Sequence, residues 1–270
     1  MLTSEQKHEF YENGFLKLDN VIPKPMIDAA KKAINHLLGQ ITEGNVNVAK
    51  EGRGKVWKQL ANGSVITDLV NKSPVLQLCE SLMGKGNVQA VEDSQIALRY
   101  PTMEENPVID ERDPLKGHLD LGSVGVKGGY RRFFTMHAVI YLEDVLEPFS
   151  GNYTIWPQSH RFYQKYFQKH GHEILLNGQP KQPQPTEPVM ITGKTGDVVL
   201  AHHQMVHGPA PNTSPHVRYR YFCTDASFNR RHAWAGRPGI HSRIASPIAG
   251  RFGDTRSDLR HRNTVSTRPQ

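Results

Sequence analysis

Cysteine is nearly missing: Cys79 and Cys223 are the only two in 270 residues. Two thiols cannot build the disulfide framework of a small secreted domain, and so low a count suits a reducing compartment. Long apolar runs are missing as well. No segment approaches the roughly 20 consecutive apolar residues that span a bilayer, and the opening Met-Leu-Thr-Ser-Glu-Gln-Lys-His lacks the apolar core of a secretory signal. The closing Arg-Pro-Gln is not a peroxisomal tripeptide. A cytoplasmic protein without a membrane span is the expectation by elimination. There is no internal repeat, and Gly84-Lys85-Gly86 is glycine-rich without the spacing of a phosphate-cradling loop.

Acidic residues are the minority charge, with Asp+Glu 26 against Lys+Arg 33, a formal net charge of +7 and a pI near 9.4. Such a balance invites a nucleic-acid or anionic-surface reading. The excess, however, gathers late, in Arg230, Arg231, Arg237, Arg243, Arg251, Arg256, Arg260, Arg262 and Arg268. Apolar periodicity fades from about Asn229, where Arg, Gly, Pro and Ser rise. The expectation is a basic, loosely ordered tail over 229–270, with a nucleic-acid partner not expected. Residues 1–228 are expected to form one domain, large enough to bury a substantial core.

Helices come first. Thr3 or Ser4 is a capping residue, Glu5 suits the first turn, Phe10 and Tyr11 face inward, and Asn13-Gly14 stops the helix. Phe15-Leu16-Lys17-Leu18 is a short strand. A second helix spans about Pro25 to Leu38, with Met26, Ala29, Ala30, Ala33 and Leu37 or Leu38 as its core stripe. Residues 39–56 are polar and are expected to loop. Two helical pieces broken near Ser73-Pro74 carry Val65, Leu69, Val70, Val75, Leu76, Leu78, Leu82 and Met83, closing the helical part at 1–90.

The period then changes from 3.6 to 2. Strands are expected at Gln95–Tyr100, Phe133–Leu142, Gly151–Trp156, Val189–Ile191, Asp197–Ala201 and Arg218–Thr224. This order predicts a mainly β fold with flanking helices, a jelly-roll core over 91–228.

The chemistry centres on His118-Leu119-Asp120. In extended backbone a His and an Asp two residues apart point to one face, so one metal can take both. Two imidazoles and one carboxylate with open positions suit a first-row divalent ion, Fe(II) above all. Taken singly, His118 reads as a surface histidine after a turn and Asp120 as a capping carboxylate. His207 supplies the distal imidazole, with His202 and His203 as rivals. His207 is chosen because Arg218 follows it on the next strand, where a guanidinium can grip the far end of a dicarboxylate through two charge-assisted hydrogen bonds.

With these residues in view, the chain resembles the phytanoyl-CoA dioxygenase (PhyH-like) family of Fe(II)- and 2-oxoglutarate-dependent oxygenases over most of residues 3–224. The resemblance is carried by the opening helix and strand through Phe15-Leu16, by Gly151 through Trp156-Pro157-Gln158-Ser159-His160-Arg161, and by Gly196-Asp197-Val198-Val199-Leu200 followed by His207-Gly208-Pro209-Ala210-Pro211-Asn212 and Arg218. Gln158 stands where the family has glycine. The resemblance implies a double-stranded β-helix, iron ligands His118, Asp120 and His207, Arg218 on the C5 carboxylate of 2-oxoglutarate, and O2 as oxidant. It places Gln95 and Arg99 among further cosubstrate or substrate contacts. Similar halogenases carry a small residue in place of Asp120, so the acid implies hydroxylation or another oxidation. The implied enzyme is a dioxygenase acting on a small molecule or an acyl-CoA-type ester, as a monomer or homodimer. The alternatives are a metal- and 2-oxoglutarate-binding module without turnover, or a protein that binds anionic partners through its tail.

Overall fold

The computed structural model describes residues 1–40, 55–92, 94–103, 117–119, 136–171, 174, 180 and 186–223. All of them fall in a compact unit bounded at Met1–Ala233. The readings made for Asp120, for most of the 39–56 loop and for the basic tail fall on residues outside this set.

Helix α1 (Ser4–Asn13) starts on a reciprocal cap: the Thr3 hydroxyl accepts from the Gln6 N–H while the Gln6 side chain accepts from the Thr3 N–H. It stops at Gly14, whose φ of 81° is left-handed and whose N–H donates to Phe10 O at 2.8 Å. A side chain at Gly14 would also overlap the His160 ring, so glycine is required there twice over. Phe10 is buried as expected, but Tyr11 is exposed and lies under the Arg161 guanidinium. Strand β1 (Phe15–Leu18) follows directly.

Helix α2 (Lys24–Gly39) buries Ile27, Ala30 and Ile34, with Met26, Leu37 and Leu38 packed beside them. The expected stripe was therefore rotated by about one position, because it took alanines where the β-branched isoleucines set the seam; Ala29 is exposed. Helix α3 (Lys55–Ala61) begins inside the segment expected to loop, and its Trp57 is buried. Helices α4 (Ser64–Asn71) and α5 (Val75–Met83) break at Ser73-Pro74 as expected, and Gly84 ends α5. No described helix is long and apolar enough to cross a membrane.

Among the described residues eight strands make two antiparallel sheets. They are β1, β2 (Gln95–Arg99), β3 (Met136–Tyr141), β4 (Tyr153–Ile155), β5 (Val189–Ile191), β6 (Val198–His202), β7 (His207–Pro209) and β8 (Arg218–Cys223). The larger sheet runs β1-β6-β3-β8-β2 and the smaller β5-β4-β7. From β3 onward the chain crosses to the small sheet and back twice, which is jelly-roll connectivity. The mainly β class with flanking helices is what the sequence predicts.

Period-2 alternation divides the core. Leu16, Leu18, Ile96, Ala138, Ile140, Val198, Leu200 and Tyr221 face the helices. Val139, Tyr141, Val199 and Ala201 face inward, where they meet Tyr153, Ile155 and Ile191 of the small sheet. Register carries the same inward parity to Phe222, Arg220 and Arg218 on β8, because Val139 pairs with Phe222 and Tyr141 with Arg220.

The turn before β6 is held by one carboxylate. Asp197 is 4 % exposed; Oδ1 accepts from Asn20 N–H (2.8 Å), and Oδ2 from Lys194 N–H (2.8 Å) and from Lys17 Nζ (2.9 Å). Burial alone would raise this carboxyl, but these donors outweigh burial and hold it below its ordinary 3.8. A depressed carboxyl stabilises the fold above its unfolded pKa and loses that contribution as pH falls through the folded value. Asp197→Ala is expected to cost about 2–4 kcal/mol at pH 7, with the gap between variant and parent closing below about pH 4; urea midpoints across pH 3–7 check both.

Candidate active site

His118 enters the site through its backbone. It forms an isolated antiparallel bridge with His207, with His118 N–H to His207 O at 2.9 Å and His207 N–H to His118 O at 3.0 Å. The ring centroids are 4.5 Å apart. Gly117 lets the chain come this close: a Cβ there would stand 2.6 Å from Val206 Cγ1 and 2.8 Å from Trp156 Cζ3.

His207 is 3 % exposed, and its Nδ1 lies 3.0 Å from the Met205 carbonyl. A carbonyl can only accept, so Nδ1 carries the proton and the lone pair belongs to Nε2. That is the tautomer a metal-binding imidazole needs, fixed by the backbone. The rings of His137 (4.7 Å), Tyr153 (5.4 Å) and Phe222 (5.9 Å) surround His207.

The Trp156–Arg161 motif supports this strand. Trp156 N–H donates to Val206 O at 3.0 Å, and the Ser159 hydroxyl accepts from Val206 N–H at 2.8 Å. Helix α6 (Ser159–His170), which the sequence reading missed, begins here. Its cap Gln158 has φ 64°, a left-handed conformation, which is the physical reason glycine suits that position; this chain accepts the strain with glutamine. His160 Nε2 lies 3.1 Å from Tyr11 O, and burial pushes His160 down to about 4, so the neutral ring donates to that carbonyl. Arg161 grips Glu12 through two bonds (2.9 and 2.8 Å), fastening α6 to α1. The motif is thus a bracket for the His207 strand.

Arg218 is 5 % exposed on the inward face of β8. Its Nη1 donates to Ala97 O at 3.0 Å, while Nε is buried without a partner. Burial first, then the Arg220 and Arg99 guanidinium groups, push Arg218 well below its ordinary value. Arg99 is its register partner on β2, exposed at the rim. Gln95, also exposed, is paired with Phe222 at the other end of the same strand pair. The Asn212 side chain donates to Arg99 O (2.9 Å) and His216 O (2.7 Å), tying the end of β2 to the turn that launches Arg218.

The structure therefore brings His118 and His207 together and sets Arg218 on the same inward-facing layer. His202 sits on the opposite parity from Ala201, with its ring 5.4 Å from His160 and 4.3 Å from His203. Asp120 lies outside the described residues. Among the described residues no three His, Cys, Asp or Glu side chains gather as a metal group. Sequence reasoning missed His137, Tyr153, Phe222 and Arg220. The signal was available for two of them: Arg220 is two residues from Arg218, and His137 shares parity with Val139 and Tyr141.

The phytanoyl-CoA dioxygenase (PhyH) family model matches residues 10–219. The chain belongs to that family. Its members are non-haem iron oxidoreductases that consume 2-oxoglutarate and O2, and this chain is an oxidoreductase of that cofactor class. Similar solved structures agree on the fold. The 2-oxoglutarate-dependent carbocyclase SnoK from nogalamycin biosynthesis is 19% identical, with 88% of this chain and 92% of that chain covered and a TM-score of 0.54. AviO1 from Streptomyces viridochromogenes is 19% identical, with coverages of 85% and 99% and a TM-score of 0.54. The non-haem monooxygenase ThoJ, in its apo form, is 16% identical, with 81% and 75% covered and a TM-score of 0.54. No curated protein sequence matches significantly.

The described residues fit the cofactors of this family. Two imidazoles, one with its tautomer fixed, suit a first-row divalent ion. A buried guanidinium with an orphaned Nε and, among the described residues, no carboxylate partner suits a carboxylate ligand.

Proposed function

We propose that the chain oxidises a C–H bond of a small organic substrate, with hydroxylation as the outcome, while 2-oxoglutarate is converted to succinate and CO2. His118, Asp120 and His207 hold the iron, and Arg218 holds the C5 carboxylate of 2-oxoglutarate. The observation that carries this reading is the His118–His207 bridge, which sets two imidazoles side by side, with Arg218 buried on the inward face of β8.

Bound iron, together with 2-oxoglutarate and O2, supplies the oxidising power. The protein's residues supply placement and dryness. Met205 O orients the His207 ring through Nδ1, which leaves Nε2 as the atom that faces a metal. Arg218 offers directional donors in a place from which water is excluded, where a bond to a carboxylate is strongest. Phe222, Tyr153, Ile155 and Val139 pack the inter-sheet space around both groups and keep bulk water from the reacting centre. An acyl-CoA-type ester and a smaller free molecule are the two substrate classes to screen.

The test is succinate release. With Fe(II), 2-oxoglutarate and O2, the chain should form succinate in step with O2 uptake; EDTA should stop it, and added Fe(II), but not Mg2+, should restore it. Succinate formation indifferent to chelation would contradict the assignment.

A further inference from the structure

Arg220 is the more deeply buried of two arginines that have no counter-charge among the described residues. It is 1 % exposed, and its Nε and Nη2 have no hydrogen-bond partner. It lies on β8 two residues from Arg218, and by strand parity both project between the sheets. Its guanidinium carbon stands 4.8 Å from the Tyr141 ring centroid and 5.6 Å from that of Tyr153. These ring faces attract a cation, yet they give no hydrogen bonds to Nε or Nη2. Tyr141 turns its own hydroxyl away, donating to Ile191 O at 3.0 Å.

Two guanidinium groups thus occupy one dry layer, and a third, Arg99, stands at its rim. Among the described residues none of the three pairs with a carboxylate. Burying a charge without a partner is costly, and the neighbouring Arg220 and Arg99 groups disfavour the charge on Arg218. An anion entering the layer would relieve both penalties at once. The family's need for one arginine on the C5 carboxylate accounts for Arg218 alone; Arg220 is left over.

We propose that Arg220 is a second anchor for the distal carboxylate of 2-oxoglutarate, so that this chain holds that group with two buried arginines. The proposal rests on the 2-oxoglutarate reading above. Arg220 is enclosed between β4, β3 and β8 rather than placed at the rim, which favours the distal end of the cosubstrate over an anionic group on the substrate. The ring faces of Tyr141 and Tyr153 hold the guanidinium plane in place before the ligand arrives, which lowers the ordering cost of binding.

Glutarate isolates this interaction, because it carries the two carboxylates but lacks the keto oxygen that reaches the metal. Calorimetry on the metal-free full chain with glutarate, and on the anaerobic Fe(II) chain with 2-oxoglutarate, compares wild type with Arg220→Met, Arg220→Lys and Arg218→Met. Arg220→Met should weaken both ligands about tenfold or more, Arg220→Lys should recover part of the loss, and ligand-free Arg220→Met should melt no lower than wild type. Should Arg220→Met fail to fold, Arg220→Lys carries the same comparison, because lysine keeps the charge but not the fork and should still bind more weakly. Unchanged affinity in Arg220→Met or, where it does not fold, in Arg220→Lys, with Arg218→Met weakened, would overturn the second anchor and leave the cosubstrate reading intact. No 2-oxoglutarate binding by wild type would overturn both.

Discussion

His207→Ala is expected to abolish 2-oxoglutarate turnover while leaving the chain folded. The ring is buried, its Nδ1 is committed to Met205 O, and its neighbours are His118, His137, Tyr153 and Phe222. The bridge to His118 is made by backbone atoms, so truncation to alanine removes the imidazole without removing the hydrogen bonds that hold the strand. At metal sites the loss of a merely supporting group costs about 10–100-fold; loss of a ligand should exceed that range. Iron content and succinate release should fall together, with the melting temperature of the metal-free chain shifted by a few degrees at most. His202→Ala is the natural comparison, since its ring packs against His160 and His203 on the other parity. It should retain iron. Equal iron loss in both variants would place the metal elsewhere.

The second large effect is expected at Arg218. Arg218→Met should weaken 2-oxoglutarate about 100-fold, on the order of 3 kcal/mol, because a charge-assisted pair is lost from a buried setting. The same change should leave the ligand-free fold as stable or more so, since it removes a buried guanidinium that among the described residues has no carboxylate partner and donates to Ala97 O. These opposite signs separate a ligand anchor from a structural ion pair. In a structural pair, affinity and stability would fall together. Calorimetric affinity beside thermal melting of the same preparations checks both.

Much of the fold was legible because the chain keeps to its periods. Thr3 with Gln6, Gly14, Ser73-Pro74 and Gly84 each end or start an element by local chemistry that needs no tertiary information. The strands that carry Val139, Val199 and Arg218 announced themselves by β-branched and aromatic content. What escaped was decided by packing. Ile27 and Ile34 outcompete Ala29 for the α2 seam because larger apolar area is buried there. Helix α6 was hidden because Arg161, Gln164, Lys165 and Lys169 dilute its apolar stripe, although Tyr163 and Phe167 are buried at i and i+4.

The site divides in the same way. Residue type and spacing singled out His118, His207 and Arg218 as candidates, and the structure sets His118 beside His207. The tautomer of His207 was not legible, because it depends on where the Met205 carbonyl points. Nor was the orphaned state of Arg218 and Arg220, since a missing partner is a property of three-dimensional neighbours and not of the sequence.

The measurement that bears most directly on the central claim is an anaerobic titration of the purified chain with Fe(II) and 2-oxoglutarate, watching for the weak visible metal-to-ligand charge-transfer absorption. Wild type should develop the band with one equivalent of each, His207→Ala should give none, and Arg218→Met should require far more 2-oxoglutarate to reach it. A chain that binds Fe(II) and 2-oxoglutarate without the band, or that gives an undiminished band in His207→Ala, would contradict the site described.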